Sequence, residues 1–283
     1  MDPSLLKIKI GDTAIEYLQY NGDGPTVMML HATGFLPWLW HPIARKLVGE
    51  YRIIAPYFCD HRYAEPEDGG LSWMILAEDL CRFCEALDIG NPSLVGHSMG
   101  ATVMAIANAV HGSPADRMVI IEPIFLPRDF YSVKIGVDEH PLASKSIKRR
   151  NNWENRKAAK EYLRTRALFK NWDEEMLDLY ISHGMVDTPA EGLTLACSPR
   201  REASLFMGGM QYDPWPLLPK LSCPVLVVEG EESENRQFID LKKAASLMPR
   251  GEYASVPGAG HLIPMEKPAQ VTDMIREFFS RPD

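Results

Sequence analysis

The sequence predicts an α/β protein: a mostly parallel central sheet with helices on both faces and an inserted helical cap. Three observations predict it. Short β-type runs alternate with helical segments from Thr26 to Glu122, the alternation stops between about Pro127 and Pro219, and it resumes at Val225.

Leu5–Ile10 and Ala14–Tyr20 read as the strands of an opening hairpin and Thr26–Leu30 as a third strand, bounded by turn chemistry such as Asn21-Gly22-Asp23-Gly24-Pro25. A strand at Arg52–Pro56, a helix at Trp73–Leu87, a strand at Ser93–Gly96, a helix at Ala101–Val110 and a strand at Met118–Glu122 follow. Helical crossovers between successive strands imply parallel pairing. The middle carries no β-run and is dominated by helical periodicity, as in Asp173-Glu174-Glu175-Met176-Leu177-Asp178-Leu179-Tyr180. A strand at Val225–Val228, a helix near Phe238–Leu247, a strand at Tyr253–Val256 and a helix at Ala269–Phe279 complete the chain. The expected division is therefore 1–127 as the first part of the core, 128–219 as the cap and 220–283 as the second part of the core.

The chain has 283 residues, 46% of them hydrophobic, enough to bury a core without disulfides or metal. Five cysteines at irregular spacings predict reduced thiols, and neither a leader pattern nor an apolar run near the ~20 residues of a membrane span is present. The expectation is a cytoplasmic protein with no membrane partner. A formal net charge of −8 argues against nucleic acid and for a small-molecule substrate. The basic stretch Lys145–Arg166 reads as a solvated helix face, with a landing site for an anionic acyl group or thioester carrier as the sharper alternative. Cys81-Arg82-Phe83-Cys84 has redox spacing, but it falls inside the amphipathic helix with Trp73, Leu76, Leu80 and Leu87, where it reads as core.

The chemistry gathers at a few loops. Gly96-His97-Ser98-Met99-Gly100 lies where an apolar strand gives way to an Ala-rich helix, the context in which a G-x-S-x-G turn exposes a nucleophilic serine near a helix N-terminus. Ser98 is the expected nucleophile. Gly258-Ala259-Gly260-His261 follows the last strand, which makes His261 the expected base. For the acid, Glu122 sits at a Pro-flanked apolar strand end where an idle charge would be costly, with Glu232 and Glu234 after the later strand as alternatives. Phe35, from His31-Ala32-Thr33-Gly34-Phe35, and Met99 are the expected backbone N–H donors of an oxyanion hole. His31, His97 and His261 lack companions at ligand spacing, so no metal is expected, and nothing calls for a cofactor.

HATGF at 31–35, GHSMG at 96–100, Ile121-Glu122-Pro123 and GAGHLIPM at 258–265 together resemble the α/β-hydrolase fold, the group containing esterases, epoxide hydrolases, haloalkane dehalogenases and carbon–carbon bond hydrolases. The resemblance covers nearly the whole chain. A narrower likeness, to a bacterial subgroup, adds Cys197-Ser198-Pro199 followed by Glu202-Ala203. Two departures bear on chemistry. Ser233 stands where most of the group carries an acidic residue, and the resemblance to dehalogenases that use a glutamate after the earlier strand favours Glu122. Ser98 stands where epoxide hydrolases and dehalogenases carry Asp, which disfavours those reactions. The resemblance thus implies hydrolysis of an ester, thioester or related acyl bond through an acyl-enzyme. The alternatives are cleavage of a carbon–carbon bond by the same residues, or a binding protein that has lost turnover. Trp153, Trp172, Tyr180, Phe206, Met207, Met210, Tyr212 and Trp215 of the cap are candidates to line an apolar pocket, and most of them read as cap core.

Overall fold

A computed structural model describes residues 2–58, 60–189 and 192–282. Along the chain its strands are β1 (Ser4–Ile10), β2 (Thr13–Tyr20), β3 (Thr26–Leu30), β4 (Arg52–Pro56), β5 (Ser93–His97), β6 (Met118–Ile121), β7 (Met185–Asp187), β8 (Leu193–Leu195), β9 (Val225–Gly230) and β10 (Gly251–Val256). Its helices are α1 (His41–Leu47), α2 (Trp73–Ala86), α3 (Met99–His111), α4 (Pro141–Lys148), α5 (Arg156–Arg164), α6 (Glu174–His183), α7 (Pro199–Gly208), α8 (Leu241–Leu247), α9 (Ile263–Glu266) and α10 (Pro268–Phe279).

Eight strands form one sheet in the order β1-β2-β4-β3-β5-β6-β9-β10. The β1–β2 hairpin and the β2–β4 pair are antiparallel, and every pair from β4 to β10 is parallel. Both faces of the parallel region are covered, so its strands are apolar at successive positions and sort by parity. Met28, Leu94, Ile120 and Val227 pack with α2, α3 and α8, while Val27, Val95, Val119 and Val228 pack with α1 and α10.

Local chemistry sets the helix limits. Ser72 caps α2 by accepting from Met74 N, and Asp240 caps α8 by accepting from Lys243 N, which starts that helix at Leu241 and not near Phe238. Two elements differ from expectation. Helix α1 was not anticipated in its Pro- and Trp-rich surroundings, and the segment between β6 and β9 is not purely helical, because β7 and β8 pair as a short antiparallel hairpin. That segment otherwise comprises α4 to α7, and it packs on the loop after β3: the Phe35 ring lies 5.5 Å from Trp172 and 5.8 Å from Tyr180, and Trp38 stacks on His183 at 3.7 Å.

Candidate active site

The sheet register carries the candidate residues to one edge. Leu30 pairs with Gly96, His97 with Ile121, and Ile121 with Val228, so the loops after β3, β5, β6 and β9 leave neighbouring strands side by side at their C-terminal ends. Ser98 is the single residue between β5 and α3. Its backbone is held at φ 52°, ψ −113°, with its N–H bonded to Ile121 O at 2.9 Å. A non-glycine residue there costs roughly 1–3 kcal/mol, sustained by the packing around it. The turn leaves no room for side chains on its flanks: a Cβ on Gly96 would meet Ala101 N at 2.6 Å, and one on Gly100 would meet Leu30 O at 2.5 Å. Both obstacles are backbone. Gly100→Ala is therefore expected to destabilise the fold by about 3 kcal/mol, measurable by denaturant unfolding.

His261, in the loop between β10 and α9, reaches Ser98 Oγ through Nε2 at 3.2 Å and Glu122 Oε2 through Nδ1 at 2.9 Å. Glu122 also has a left-handed backbone, φ 49°, and is fully buried. Its charge is met by fixed donors. Gly230 N–H donates to Oε1 at 2.7 Å, and the Ser233 hydroxyl donates to Oε2 at 2.8 Å. Glu232 and Glu234 are exposed. The buried Glu229 is engaged elsewhere, with the Tyr253 hydroxyl and with Arg236 at 3.1 Å. Sequence reasoning treated Ser233 only as a missing acid, whereas its hydroxyl holds Glu122; it also missed Asn235, whose carboxamide lies 3.0 Å from His261 Nδ1.

The loop after β3 corrects one expectation. Phe35 N–H is bonded to Ala32 O at 3.2 Å, closing a turn with Gly34 at φ 75° in its third position, so it is not free to face an oxyanion. The turn leaves out the N–H groups of its central residues, Thr33 and Gly34. Met99, first residue of α3, has no carbonyl one turn back to receive its N–H. Against the same loop lies a cap carboxylate: a Cβ on Gly34 would fall 2.2 Å from Glu202 Oε1. Glu202 is paired with Arg149, whose Nη1 reaches both carboxylate oxygens at 2.9 Å, with Tyr180 beside the guanidinium.

The two other histidines here are neutral by construction. His31 donates from Nδ1 to Ala32 O at 2.8 Å and accepts Phe58 N–H at Nε2 at 3.0 Å; His97 donates from Nε2 to His261 O at 2.9 Å. Burial pushes His31 down to about 4 and, together with nearby His261, pushes His97 down to about 3. Unfolding frees both to protonate near their ordinary value of about 6.5, so the unfolded chain binds more protons below that pH and stability falls as pH drops. Each contributes a slope approaching 1.4 kcal/mol per pH unit, at most, in the window between its two values. Thermal unfolding at a series of pH values is expected to show melting temperature falling from about pH 6.5 towards pH 4, with a shallower fall in His97→Gln.

The remaining features are structural. Trp153, Trp172, Tyr180 and Met207 are buried in the cap, while Phe206, Met210, Tyr212 and Trp215 are half-buried. In the basic stretch, Arg156 pairs with Asp187, Lys160 with Asp178 and Glu174, and Arg164 with Glu174, at the surface. Cys84 is buried on α2 with its thiol pushed up to about 12, unfit for redox exchange at neutral pH. Cys59 lies outside the described residues. Among the described residues, no group of three or more His, Cys, Asp or Glu side chains is placed to hold a metal, and no helix is long and apolar enough to cross a membrane.

A parallel sheet carrying a serine, an imidazole and a buried carboxylate in series at its C-terminal edge has the plan of a hydrolase. Residues 27–274 match the model of the alpha/beta hydrolase family, and the chain belongs to that family. It is 23% identical over 272 residues to the 2-(acetamidomethylene)succinate hydrolase of Mesorhizobium japonicum, spanning 96% of this chain and 94% of that one. It is 26% identical over 222 residues to the abhydrolase domain-containing protein AFT2-1 of Alternaria alternata, 66% of this chain and 82% of that one. Among solved structures it resembles E-2-(acetamidomethylene)succinate hydrolase, with a TM-score of 0.83 at 22% identity over 99% of this chain and 100% of the other. A malate-bound thermophilic esterase from Thermogutta terrifontis gives 0.71 at 22% identity, covering 98% of each chain.

Proposed function

We propose that the chain is a serine hydrolase that cleaves an ester, thioester or related acyl bond of a small molecule. One observation carries the reading: Ser98 Oγ, the His261 ring and Glu122 stand in one hydrogen-bonded series of 3.2 and 2.9 Å. His261 Nε2 takes the Ser98 proton as Oγ attacks the carbonyl carbon. It then returns that proton to the leaving group, giving an acyl-enzyme that water hydrolyses by the same base. Glu122 keeps the other imidazole proton on Nδ1 and stabilises the imidazolium. The developing oxyanion rests on Met99 N–H and on Thr33 or Gly34 N–H, which replace the expected Phe35; one such donor is worth roughly 10²–10³ in kcat.

The acyl group carries a carboxylate in this proposal. Arg149, of the basic stretch, reaches Glu202 beside Gly34, and both bonds to Glu202 leave from Nη1, so the planar fork has further donors to offer. Two structural neighbours support the same class, one named for a succinate derivative and one with malate bound. A succinate half-ester is expected to show a KM about tenfold or more below that of a neutral ester of equal length, a charge-assisted hydrogen bond being worth about 1.5–3 kcal/mol. Arg149→Met is expected to lose that preference, and an equal KM for both esters in the wild type would refute the carboxylate class. The hydrolase reading is tested by a fluorophosphonate probe: it is expected to label Ser98 and be followed by turnover of a short-chain p-nitrophenyl ester. A folded chain that neither reacts nor turns over leaves the binding-protein alternative.

A further inference from the structure

A carboxylate oxygen and a side-chain amide converge on one nitrogen in this site. His261 Nδ1 lies 2.9 Å from Glu122 Oε2 and 3.0 Å from Asn235 Nδ2, and Asn235 belongs to the same turn as Ser233, which donates to Glu122 at 2.8 Å. The turn after β9 therefore touches both members of the acid–base pair. An ionised carboxylate only accepts, so its partner Nδ1 must carry a proton. An amide NH₂ facing that N–H would oppose donor to donor; rotating the carboxamide by 180° turns its oxygen in and removes the conflict. The opposite arrangement, with the amide NH₂ donating to a bare Nδ1, would put the proton on Nε2 and point it at Ser98, leaving no base.

From this geometry we infer that Asn235 is a positioning residue: its carbonyl oxygen shares the His261 Nδ1 proton with Glu122 and holds the imidazole in the tautomer whose Nε2 is free to accept from Ser98. The inference rests on the hydrolase reading for its catalytic consequence, but its structural content, the tautomer, stands apart from any substrate. It also implies that a carboxylate at 235 would face Nδ1 and take over part of the work of Glu122. The other groups around the ring are fixed: His97 donates to the His261 carbonyl, and Arg236, beside Asn235, is paired with Glu229.

The test uses the full chain in five forms: wild type, Asn235→Leu, Asn235→Asp, and Glu122→Gln with and without Asn235→Asp. Nitrogen-15 NMR of the His261 ring reads the tautomer, and pH–rate profiles read the base. Asn235→Leu is expected to raise the Nε2–H population and lower kcat about tenfold with little change in KM, the scale of one hydrogen bond. Asn235→Asp adds a charge that favours the imidazolium, so activity on the acid side is lost at a higher pH than in wild type. Adding Asn235→Asp to Glu122→Gln is expected to restore activity about tenfold or more, a rescue that a merely structural asparagine would not give. An unchanged tautomer in Asn235→Leu, or an unchanged acid limb together with no rescue, overturns the inference. Failure of the fluorophosphonate to label wild-type Ser98 would instead remove the hydrolase reading, while the NMR readout still judges Asn235.

Discussion

Ser98→Ala is expected to lower kcat on any acyl substrate by roughly 10⁵–10⁶, close to the full contribution of a triad, because nucleophile and base act as a unit. The size follows from the site. His261 Nε2 faces Ser98 Oγ at 3.2 Å, and without the hydroxyl the base has no proton to take and no acyl-enzyme can form. Residual hydrolysis would come from the N–H donors alone acting on bound substrate and water. The same substitution is expected to leave stability within about 1 kcal/mol of wild type, since it removes one hydrogen bond and leaves a backbone that alanine occupies at much the same cost as serine. Kinetics with a p-nitrophenyl ester and a thermal melt read the two effects. A variant that melts like wild type and retains more than about a hundredth of its kcat would show that another group attacks the carbonyl.

How far the sequence discloses this site depends on the range of the forces that build it. The turn at Ser98 is legible because its determinants are local: an apolar strand, a helix, and glycines where a Cβ would strike backbone. Glu122 is legible for an energetic reason, since a carboxylate between Ile121 and Pro123 must be buried and a buried charge needs partners. Those partners are not legible. Gly230 and Ser233 lie more than a hundred residues further on, and only the pairing of β6 with β9 brings them to the carboxylate. The same holds for Glu202 against Gly34 and Asn235 against His261, contacts between segments whose distance in sequence says nothing of their distance in space.

Two further departures have different causes. In HATGF the motif marks the loop, but which N–H groups stay free depends on the turn that Gly34 at φ 75° allows; that turn consumes Phe35 N–H and leaves Thr33 and Gly34. The hairpin of β7 and β8 has three residues in each strand, too few for alternation to stand out against the helical period on either side. The site thus divides by the scale of its determinants: the candidate nucleophile, base and acid from local patterns, their supports from tertiary contacts.

Glu122→Gln is expected to lower kcat by about 10⁴ while leaving KM nearly unchanged, and the reason lies in a backbone group that cannot turn. Gly230 N–H donates to Glu122 Oε1 at 2.7 Å, and in the variant it requires the amide oxygen at that position, since an NH₂ there would leave two buried donors facing each other. The glutamine NH₂ is then directed at His261 Nδ1, where the carboxylate Oε2 had stood at 2.9 Å. A donor facing Nδ1 selects the bare nitrogen and moves the ring proton to Nε2, so the imidazole meets Ser98 with a hydrogen in place of a lone pair. Substrate contacts are untouched, which is why the loss falls on kcat. Glu234→Gln is the control: the residue is exposed on the surface turn, and its substitution is expected to change kcat less than about twofold. Steady-state kinetics on both variants decide between the two carboxylates. If Glu234→Gln suffered the large loss and Glu122→Gln kept its kcat, the buried carboxylate would be a strut for the β6–β9 edge, and the turn after β9 would supply the acid.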